Sequence, residues 1–356
     1  MRMNLLLAGL MLATVSTALA LQEGGKAPKP AQTKVLVLET PKPVPDGRIA
    51  KLEHLETYSC AQCHTEVADE WAATTHGLAW VDPIYREEIG GKARPEACHG
   101  CHIPKPLHLG QLGAKPEARA DTKEDPWEHG VSCETCHLGP EGKILGPWGH
   151  ATSAHASQRA DSMVDAGSTA LCLSCHRINI GPVIGVAKDF ESSNQAARGR
   201  SCVGCHWASV ERSWANAPAG NSTAVAAGSE APPQKGRSHA TQTPRDPAFL
   251  RQAFEVSLKI EAGKSVVTIR NAIAHRVPGL IGRSLEFTAS VLDANGKVVA
   301  EKKQVFDARA HLPVDQSVDL VLDGVGAQVR LVGMHHDPRL EKPVQFLDEV
   351  LAPAGK

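Results

Sequence analysis

The C-terminal third of the chain alternates apolar and polar residues with a period of two. Six such runs begin at Phe254, Ser265, Leu285, Lys297, Ser317 and Gln328. Alternation of this kind predicts half-buried strands, and the sequence Asp293-Ala-Asn295-Gly296 between two of the runs predicts a hairpin turn. Six or seven strands within residues 249–356 predict a small antiparallel β-sandwich, immunoglobulin-like in size.

The first half of the chain lacks this alternation. Apolar residues at helical spacing predict helical pieces at 65–80, 82–90 and 155–176, and no strand is indicated within the domain that we place at 49–214. From residue 215 the composition changes to Ala, Pro, Gly and Ser, which predicts a linker over 215–248. The predicted fold class is therefore α+β, with a mostly helical and irregular N-terminal domain before the β-sandwich.

The N-terminus carries a basic start, an apolar run from Leu5 to Val15 and the small-x-small sequence Ala18-Leu19-Ala20. This pattern predicts a secretory signal peptide over residues 1–20. The apolar run is too short for a membrane span, which needs roughly 20 residues, and no Cys follows the cleavage site to carry a lipid. We expect an exported protein, periplasmic or secreted, with an extended lead-in at 21–48.

One motif, Cys-x-x-Cys-His, occurs five times in this N-terminal domain. Its copies are Cys60/Cys63/His64, Cys98/Cys101/His102, Cys133/Cys136/His137, Cys172/Cys175/His176 and Cys202/Cys205/His206. Two thiols three positions apart can bond to the two vinyl groups of one haem, and the adjacent His then ligates its iron. All 10 cysteines fall in these motifs, so none is left for another role, and the sequence predicts five covalently attached haem c groups.

Zinc sites and disulfides are the alternatives for paired cysteines. A zinc site does not need a His directly after the second Cys, still less five times in five. Two thiols within so short a motif would make a strained disulfide. Aromatic content is only 4%, and five haems would supply the apolar surface that such a composition lacks. The haem propionates make the charge more negative than the formal −1, so nucleic acid is not expected as a partner.

The second axial ligand of each iron is expected to be His in most cases. Three of the 5 methionines lie in the predicted signal peptide, which leaves Met163 and Met334, whereas 12 of the 17 histidines lie outside the motifs. Haems with two His ligands lack the thioether that raises the reduction potential, so low-potential centres are predicted. If residues 64–76 are helical, His76 lies about 18 Å along the axis from His64 and must serve a different haem.

Two groups of segments resemble known multihaem cytochromes c. The segment from Cys60 to His76, the third motif with Gly130 before it, and His155 ahead of the fourth motif resemble the superfamily that includes the nitrifiers' tetrahaem electron carrier and hydroxylamine oxidoreductase. The tail segments Arg237-Ser-His239 and Asn271-x-x-x-His275-x-x-Pro278 resemble members that carry a C-terminal β domain.

The resemblance implies four distal ligands: His76, His155, His239 and His275. His275 also stands at a strand end beside Pro278, a rigid place from which a β domain could ligate an iron. For the remaining haem His129, His150 and His108 compete, with His129 and His150 preferred. The chain departs from the family pattern at Ala274, where Gly is usual, and at Trp207 after the fifth motif.

These features predict an electron-transfer protein that passes electrons to and from redox partner proteins, with no catalytic residue. An alternative is a redox enzyme in which one haem keeps an open position for a small nitrogen oxide or hydroxylamine. No motif has the Lys variant that marks pentahaem nitrite reductases, so an electron carrier is favoured over an enzyme. A third alternative is an assembly subunit whose β domain docks onto a partner or onto a second copy of the chain.

Overall fold

The computed structural model describes residue 52 and residues 59–150, 152, 154–165, 167–179, 185–215, 233–280, 282–326 and 328–353. The predicted signal peptide (1–20) and lead-in (21–48) lie outside the described residues, as does the stretch 216–232 of the predicted linker. Within the described ranges, every helix is too short or too polar to cross a bilayer.

Short α-helices carry most of the Cys-x-x-Cys-His motifs. The α-helices of the described ranges are α1 Thr65–Ala72, α2 Pro83–Gly90, α3 Glu96–His102, α4 Cys133–His137, α5 Thr169–His176, α6 Val186–Ser192, α7 Cys202–His206 and α8 Pro247–Arg251. Helices α3, α4, α5 and α7 each end on a motif His. The first motif begins in a 3-10 helix, Ser59–Gln62, and its His64 directly precedes α1. Because residues three apart share one side of a helix, both thiols of a motif face the same way.

Helix α1 ends eight residues before the end that we predicted for it. The hydroxyl of Thr74 donates to the carbonyl of Trp71 at 2.7 Å, which gives the backbone an alternative to continued helix. At Gly77 the chain turns back so closely that a Cβ would lie 2.6 Å from the carbonyl oxygen of Trp71. The turn places His76 away from the helix axis.

Four short strands pair in two places outside the sandwich. Strand β1 (Ile144–Gly146) pairs in parallel with β2 (Ser157–Arg159), and β3 (Ser209–Arg212) pairs antiparallel with β4 (Gln234–Arg237). The predictions of a strand-free N-terminal domain and of a helix over 155–176 are therefore wrong, since the α-helix begins only at Thr169, after a short 3-10 helix at Asp161–Met163. Strands of three or four residues are too short for an alternation to show in the sequence.

The C-terminal domain contains the predicted antiparallel strands. They are β5 Phe254–Glu261, β6 Lys264–Asn271, β7 Ser284–Leu292, β8 Val298–Phe306, β9 Ser317–Asp323, β10 Gln328–His336 and β11 Val344–Leu351. One sheet has the order β11-β10-β7-β8 and the other has the order β5-β6-β9. The hairpin at Asp293 joins β7 to β8 as predicted, with Gly296 at φ 78°. Strand β11 was not among the six runs named from the sequence.

Phenylalanine rings fill the space between the two sheets. Phe287 is fully buried, and its ring centre lies 5.0 Å from that of Phe254, 5.9 Å from that of Phe306 and 5.5 Å from that of Phe346. Four of the 6 phenylalanines in the chain thus belong to this core. The α+β fold class and the C-terminal sandwich are confirmed.

Candidate haem-binding site

All five motifs face one continuous cavity of about 2770 Å³. Its wall includes the ten cysteines and the five motif histidines, together with His76, His155, His239 and His275 from other parts of the chain. The N-terminal half is built around this space, because its largest cluster of buried apolar side chains in the described ranges contains only Leu52, Ala61, Ala68, Trp71, Ala72 and Leu78. A cavity of this size lined by ten thiols fits several bound groups.

Four motif histidines each face one of the four histidines that the resemblance implied. The ring centres are 6.3 Å apart for His64 and His155, 6.2 Å for His176 and His76, 6.1 Å for His137 and His239, and 6.2 Å for His206 and His275. A metal–nitrogen bond of about 2 Å, with the ring centre about 1 Å behind the nitrogen, puts two opposed imidazoles about 6 Å apart. Each pair therefore fits an iron between its rings.

Backbone carbonyls orient the motif imidazoles. The Nδ1 atoms of His64, His102, His137 and His206 lie 2.5–2.8 Å from the carbonyl oxygens of Trp214, Ala79, Leu145 and Gln242, respectively. An Nδ1–H that donates to a carbonyl fixes the tautomer and leaves Nε2 as the free base. The arrangement prepares these rings to ligate a metal through Nε2.

Burial keeps three of the facing imidazoles neutral. Together with the charges of nearby motif histidines, burial lowers the pKa of His76, His239 and His275 to about 4, and burial is the largest cause for each ring. A neutral ring has the lone pair that a metal ligand needs. The pKa of His155 is also lowered by burial and by His64.

His275 is held by a polar side chain at the end of β6. The amide nitrogen of Asn271 donates to the carbonyls of His275, Leu312 and Pro313 at 2.9–3.1 Å, and its oxygen accepts from the backbone of Ile273. Asn271 is fully buried. The Asn-x-x-x-His spacing thus has a structural reason, since the amide closes the loop that presents the imidazole.

An ion pair ties this loop to the N-terminal half. Arg276 binds Asp189 of α6 with two side-chain hydrogen bonds of 2.6 Å and a backbone hydrogen bond of 3.0 Å. Burial alone would raise the pKa of Asp189, but the hydrogen bonds and charge of Arg276 outweigh it and lower that pKa. The pair fixes the position of His275 relative to the helices.

His239 is placed by a similar arrangement. Its backbone N–H donates to Glu70 of α1 at 2.7 Å. Arg212 of β3 donates two hydrogen bonds of 2.8 and 2.9 Å to the same carboxylate. His239 lies two residues after the end of β4, so the β3–β4 pairing, which the sequence did not indicate, brings it to the cavity.

The second motif differs from the other four. The ring of His102 stacks on Tyr85, with 3.6 Å between ring centres and 6° between planes, and within the described part of the chain no imidazole faces it. The Tyr85 hydroxyl is buried without a hydrogen-bond partner among the described residues. Burial raises the pKa of Tyr85, with a further contribution from the nearby Cys98 thiol.

The histidines proposed for the remaining haem lie elsewhere. His129 is buried, packs edge-on against Trp71 at 6.3 Å and has its Nδ1 3.8 Å from Asp125. His150 is exposed at the cavity wall, with its Nε2 3.4 Å from the side-chain nitrogen of Gln234. The ring of His108 lies near the backbone of Cys136. Their assignment as distal ligands stays a prediction.

Neighbouring sites are in contact through thiols and through one indole. The thiols of Cys101 and Cys175 are close enough to share a hydrogen bond, and so are those of Cys172 and Cys202. The Trp207 ring lies 6.4 Å from His76 and 6.2 Å from His239, and its N–H donates to Thr241 at 2.7 Å. The sequence marked Trp207 only as a departure from the family pattern.

Comparisons with known proteins agree with this arrangement. Residues 59–138 match the family model described as cytochrome c554 and c-prime. The crystal structure of a penta-heme cytochrome c552 from Thermochromatium tepidum is similar over 82% of this chain and 97% of that chain, with a TM-score of 0.57 and 16% identity. The fold of the chain is thus that of a multihaem cytochrome c, and residues 59–138 carry the family match. The motifs and the family match agree on covalent haem c as the cofactor of this multihaem cytochrome.

The other comparisons add nothing to this assignment. A glycosyl hydrolase family 2 member from Bacteroides cellulosilyticus matches 28% of this chain and 14% of that chain, with 15% identity and a TM-score of 0.18, too low for an argument. No curated protein sequence matches the multihaem cytochrome.

Proposed function

We propose that this multihaem cytochrome holds five haem c groups and transfers electrons between redox partner proteins. The observation that carries the proposal is the set of four imidazole pairs with ring centres 6.1–6.3 Å apart. An iron bound by imidazole on both sides has no free position for a substrate, so its chemistry is the gain and loss of one electron.

The ligand set favours low reduction potentials. The paired side chains are all imidazoles, which lack the potential-raising thioether of Met. Carbonyl acceptors at Nδ1 make the motif imidazoles stronger bases and therefore favour the more positive, oxidised metal. Four of the five motif histidines have such a carbonyl within hydrogen-bond distance.

The contacts between sites favour passage of electrons through the protein. The fourth motif touches the second through Cys175 and Cys101, and the fifth through Cys172 and Cys202. Trp207 lies between His76, which faces the fourth-motif His176, and His239, which faces the third-motif His137. An electron that enters at one site would thus have neighbouring sites to move to.

Export is part of the proposal. The sequence of residues 1–20 has the basic start, apolar run and small-x-small site of a secretory signal peptide. Attachment of haem to Cys-x-x-Cys-His takes place after export, so five motifs and a signal peptide are consistent with each other. The periplasm, or the space outside the cell, is the proposed location.

A second function is favoured by one observation, the stacking of Tyr85 on His102 at the second motif. Because no imidazole of the described residues faces His102, the haem held there would keep one position for a small ligand. Reduction or oxidation of a nitrogen oxide or of hydroxylamine at this haem is the alternative function.

The mass of the purified mature protein tests the haem number. We expect residues 21–356 plus five covalent haems, and fewer than five would contradict the proposal. Visible and EPR spectra of the ferric protein then test the ligands. Replacing His239 with Gly should turn one low-spin haem high-spin, whereas His336→Gly, at a histidine outside the cavity wall, should leave all spin states unchanged. An unaltered spectrum of His239→Gly would contradict the ligand assignment.

A further inference from the structure

His335 is a buried histidine that the haem pairs do not use. It lies at the end of β10, is only 1% exposed, and forms part of the wall of the haem cavity. Neither of its ring nitrogens makes a hydrogen bond of normal geometry among the described residues, although the carbonyl of Pro244 lies near the ring. A buried polar group without a partner is unfavourable and needs an explanation.

Two guanidinium groups of the β domain line the same part of the cavity. Arg283 donates from Nε to Asp337 at 2.9 Å, and within the described chain its terminal nitrogens make no hydrogen bond. Arg339 donates from Nε to Asp82 at 2.7 Å and lies 3.5 Å from Asp337. The side chains of Arg283 and Asp337 are 9% and 0% exposed, so this charge cluster is shielded from solvent.

The cluster has more positive than negative charge. The charges of Arg245, Arg283 and Arg339 act on Asp337, and Asp82 is the second carboxylate in contact with the group. Three guanidiniums thus face two carboxylates, while burial and Arg283 lower the pKa of His335 to about 4 and keep it neutral. A buried positive charge without a counter-charge is unfavourable, which favours an anion on the cavity side.

The cluster adjoins the second motif. Asp82 accepts hydrogen bonds from the backbone of Ile84 and Tyr85 at the start of α2, and Tyr85 stacks on His102. The charges of Asp82 and Arg339 both act on His102. An anion that belongs to the haem of this motif could therefore reach the two guanidiniums.

We propose that Arg283, His335 and Arg339 form a carboxylate pocket that binds a propionate of the haem attached at Cys98 and Cys101. The inference rests on the proposed function, because it requires haem at this motif. Arg283 supplies its terminal N–H groups and His335 supplies a ring N–H. Positive charge beside a propionate favours the reduced haem, so the β domain raises the reduction potential of this one site.

The test is an EPR-monitored redox titration of the five-haem protein with Arg283 replaced by Gln. The potential of the His102 haem, identified by its high-spin signal, should fall while the other four stay unchanged. A fall confined to a low-spin haem, or no fall, would overturn the pocket. If the wild-type protein has five haems but no high-spin signal, the free position proposed for the His102 haem is wrong. The carboxylate pocket then stands only if Arg283→Gln lowers one of the five potentials.

Matched variants separate the pocket from general effects of charge and folding. Arg330 lies on the same strand β10, is 48% exposed and pairs with Asp348, so Arg330→Gln should change no potential. Arg283→Lys keeps the charge and should restore most of the potential. If Arg283→Gln does not fold, His335→Leu should still lower the potential of the His102 haem.

Two outcomes would point to other roles for the same residues, and each would overturn the proposal. If His335→Leu turns a low-spin haem high-spin, His335 is an iron ligand. If added nitrite or phosphate shifts the potential of the wild-type His102 haem, and Arg283→Gln abolishes that shift, the pocket takes a free anion. We expect neither, because a bound propionate would already fill the pocket.

Discussion

The two halves of this multihaem cytochrome are built by different means. The β domain has one core of nineteen buried apolar side chains between two sheets, whereas the main apolar cluster of the described N-terminal half has six, beside a cavity of about 2770 Å³. Burial of apolar side chains is enough to stabilise the first. The second lacks that surface and needs the porphyrins to supply it. The comparison predicts that the halves respond differently to the same perturbation.

The largest effect is expected from removing the cofactor. A chain with all ten cysteines replaced by Ser cannot attach haem, so residues 59–215 should lose protection from hydrogen exchange while residues 254–351 keep it. Mass spectrometry of exchanged peptides measures both regions in one sample, and the five-haem protein is the control. Protection of residues 59–215 without haem would contradict the comparison.

The reverse perturbation is a cavity in the β core. Phe287→Ala should lower the free energy of unfolding of the β domain by about 3–5 kcal/mol. The control is Val299, which is 58% exposed. Val299→Ala should change the free energy of unfolding of the β domain by no more than about 0.5 kcal/mol. Denaturant unfolding followed by far-UV circular dichroism measures both. Equal effects of the two changes would contradict the assigned core.

The junction between the halves should show an intermediate effect. Asp189→Asn leaves Arg276 without its counter-charge, and we expect a loss of about 2–4 kcal/mol, below the range for fully buried pairs because both side chains keep some exposure. In a fraction of the molecules, the haem held between His206 and His275 should become high-spin. Asp348→Asn, which breaks an exposed ion pair with Arg330, is the control. A fully low-spin spectrum of Asp189→Asn would show that the ion pair does not position His275.

Much of the β domain could be predicted from the sequence because its information is local. Alternation gave six of its seven strands, and the Asp293 turn gave one hairpin. Strand β11 was not predicted, although its residues Phe346 and Leu347 are buried. In the N-terminal half the motifs predicted attachment points, but the short pairings β1–β2 and β3–β4 depend on neighbours distant in sequence.

The partners of the motif histidines could not be derived from spacing. His239 lies 102 residues after His137, and His76 lies 100 residues before His176. Only a resemblance to a known family suggested these positions. The stacking of Tyr85 on His102 and the contacts of Trp207 gave no sequence signal, because each depends on turns that bring separate helices together.

The smallest effect concerns the orientation of one imidazole. The angle between the ring planes is 76° for His76 and His176, whereas it is 13–30° for the other three pairs. Near-perpendicular axial imidazoles give an EPR signal with a larger maximal g value than near-parallel ones. One such signal is expected, and Trp207→Leu should shift it by freeing His76, without loss of haem. Trp127→Leu, at an indole that contacts Trp80 and His99, should leave it in place.

Carbon monoxide binding to the fully reduced protein tests the central claim most directly, since carbon monoxide needs a free position on iron. Four facing imidazole pairs, and a second motif that no imidazole of the described residues faces, predict binding at one haem per chain. The carbon monoxide spectrum should be lost in a protein whose second motif is removed by Cys98→Ser and Cys101→Ser. Two or more carbon monoxide sites per chain in the five-haem protein would contradict the account.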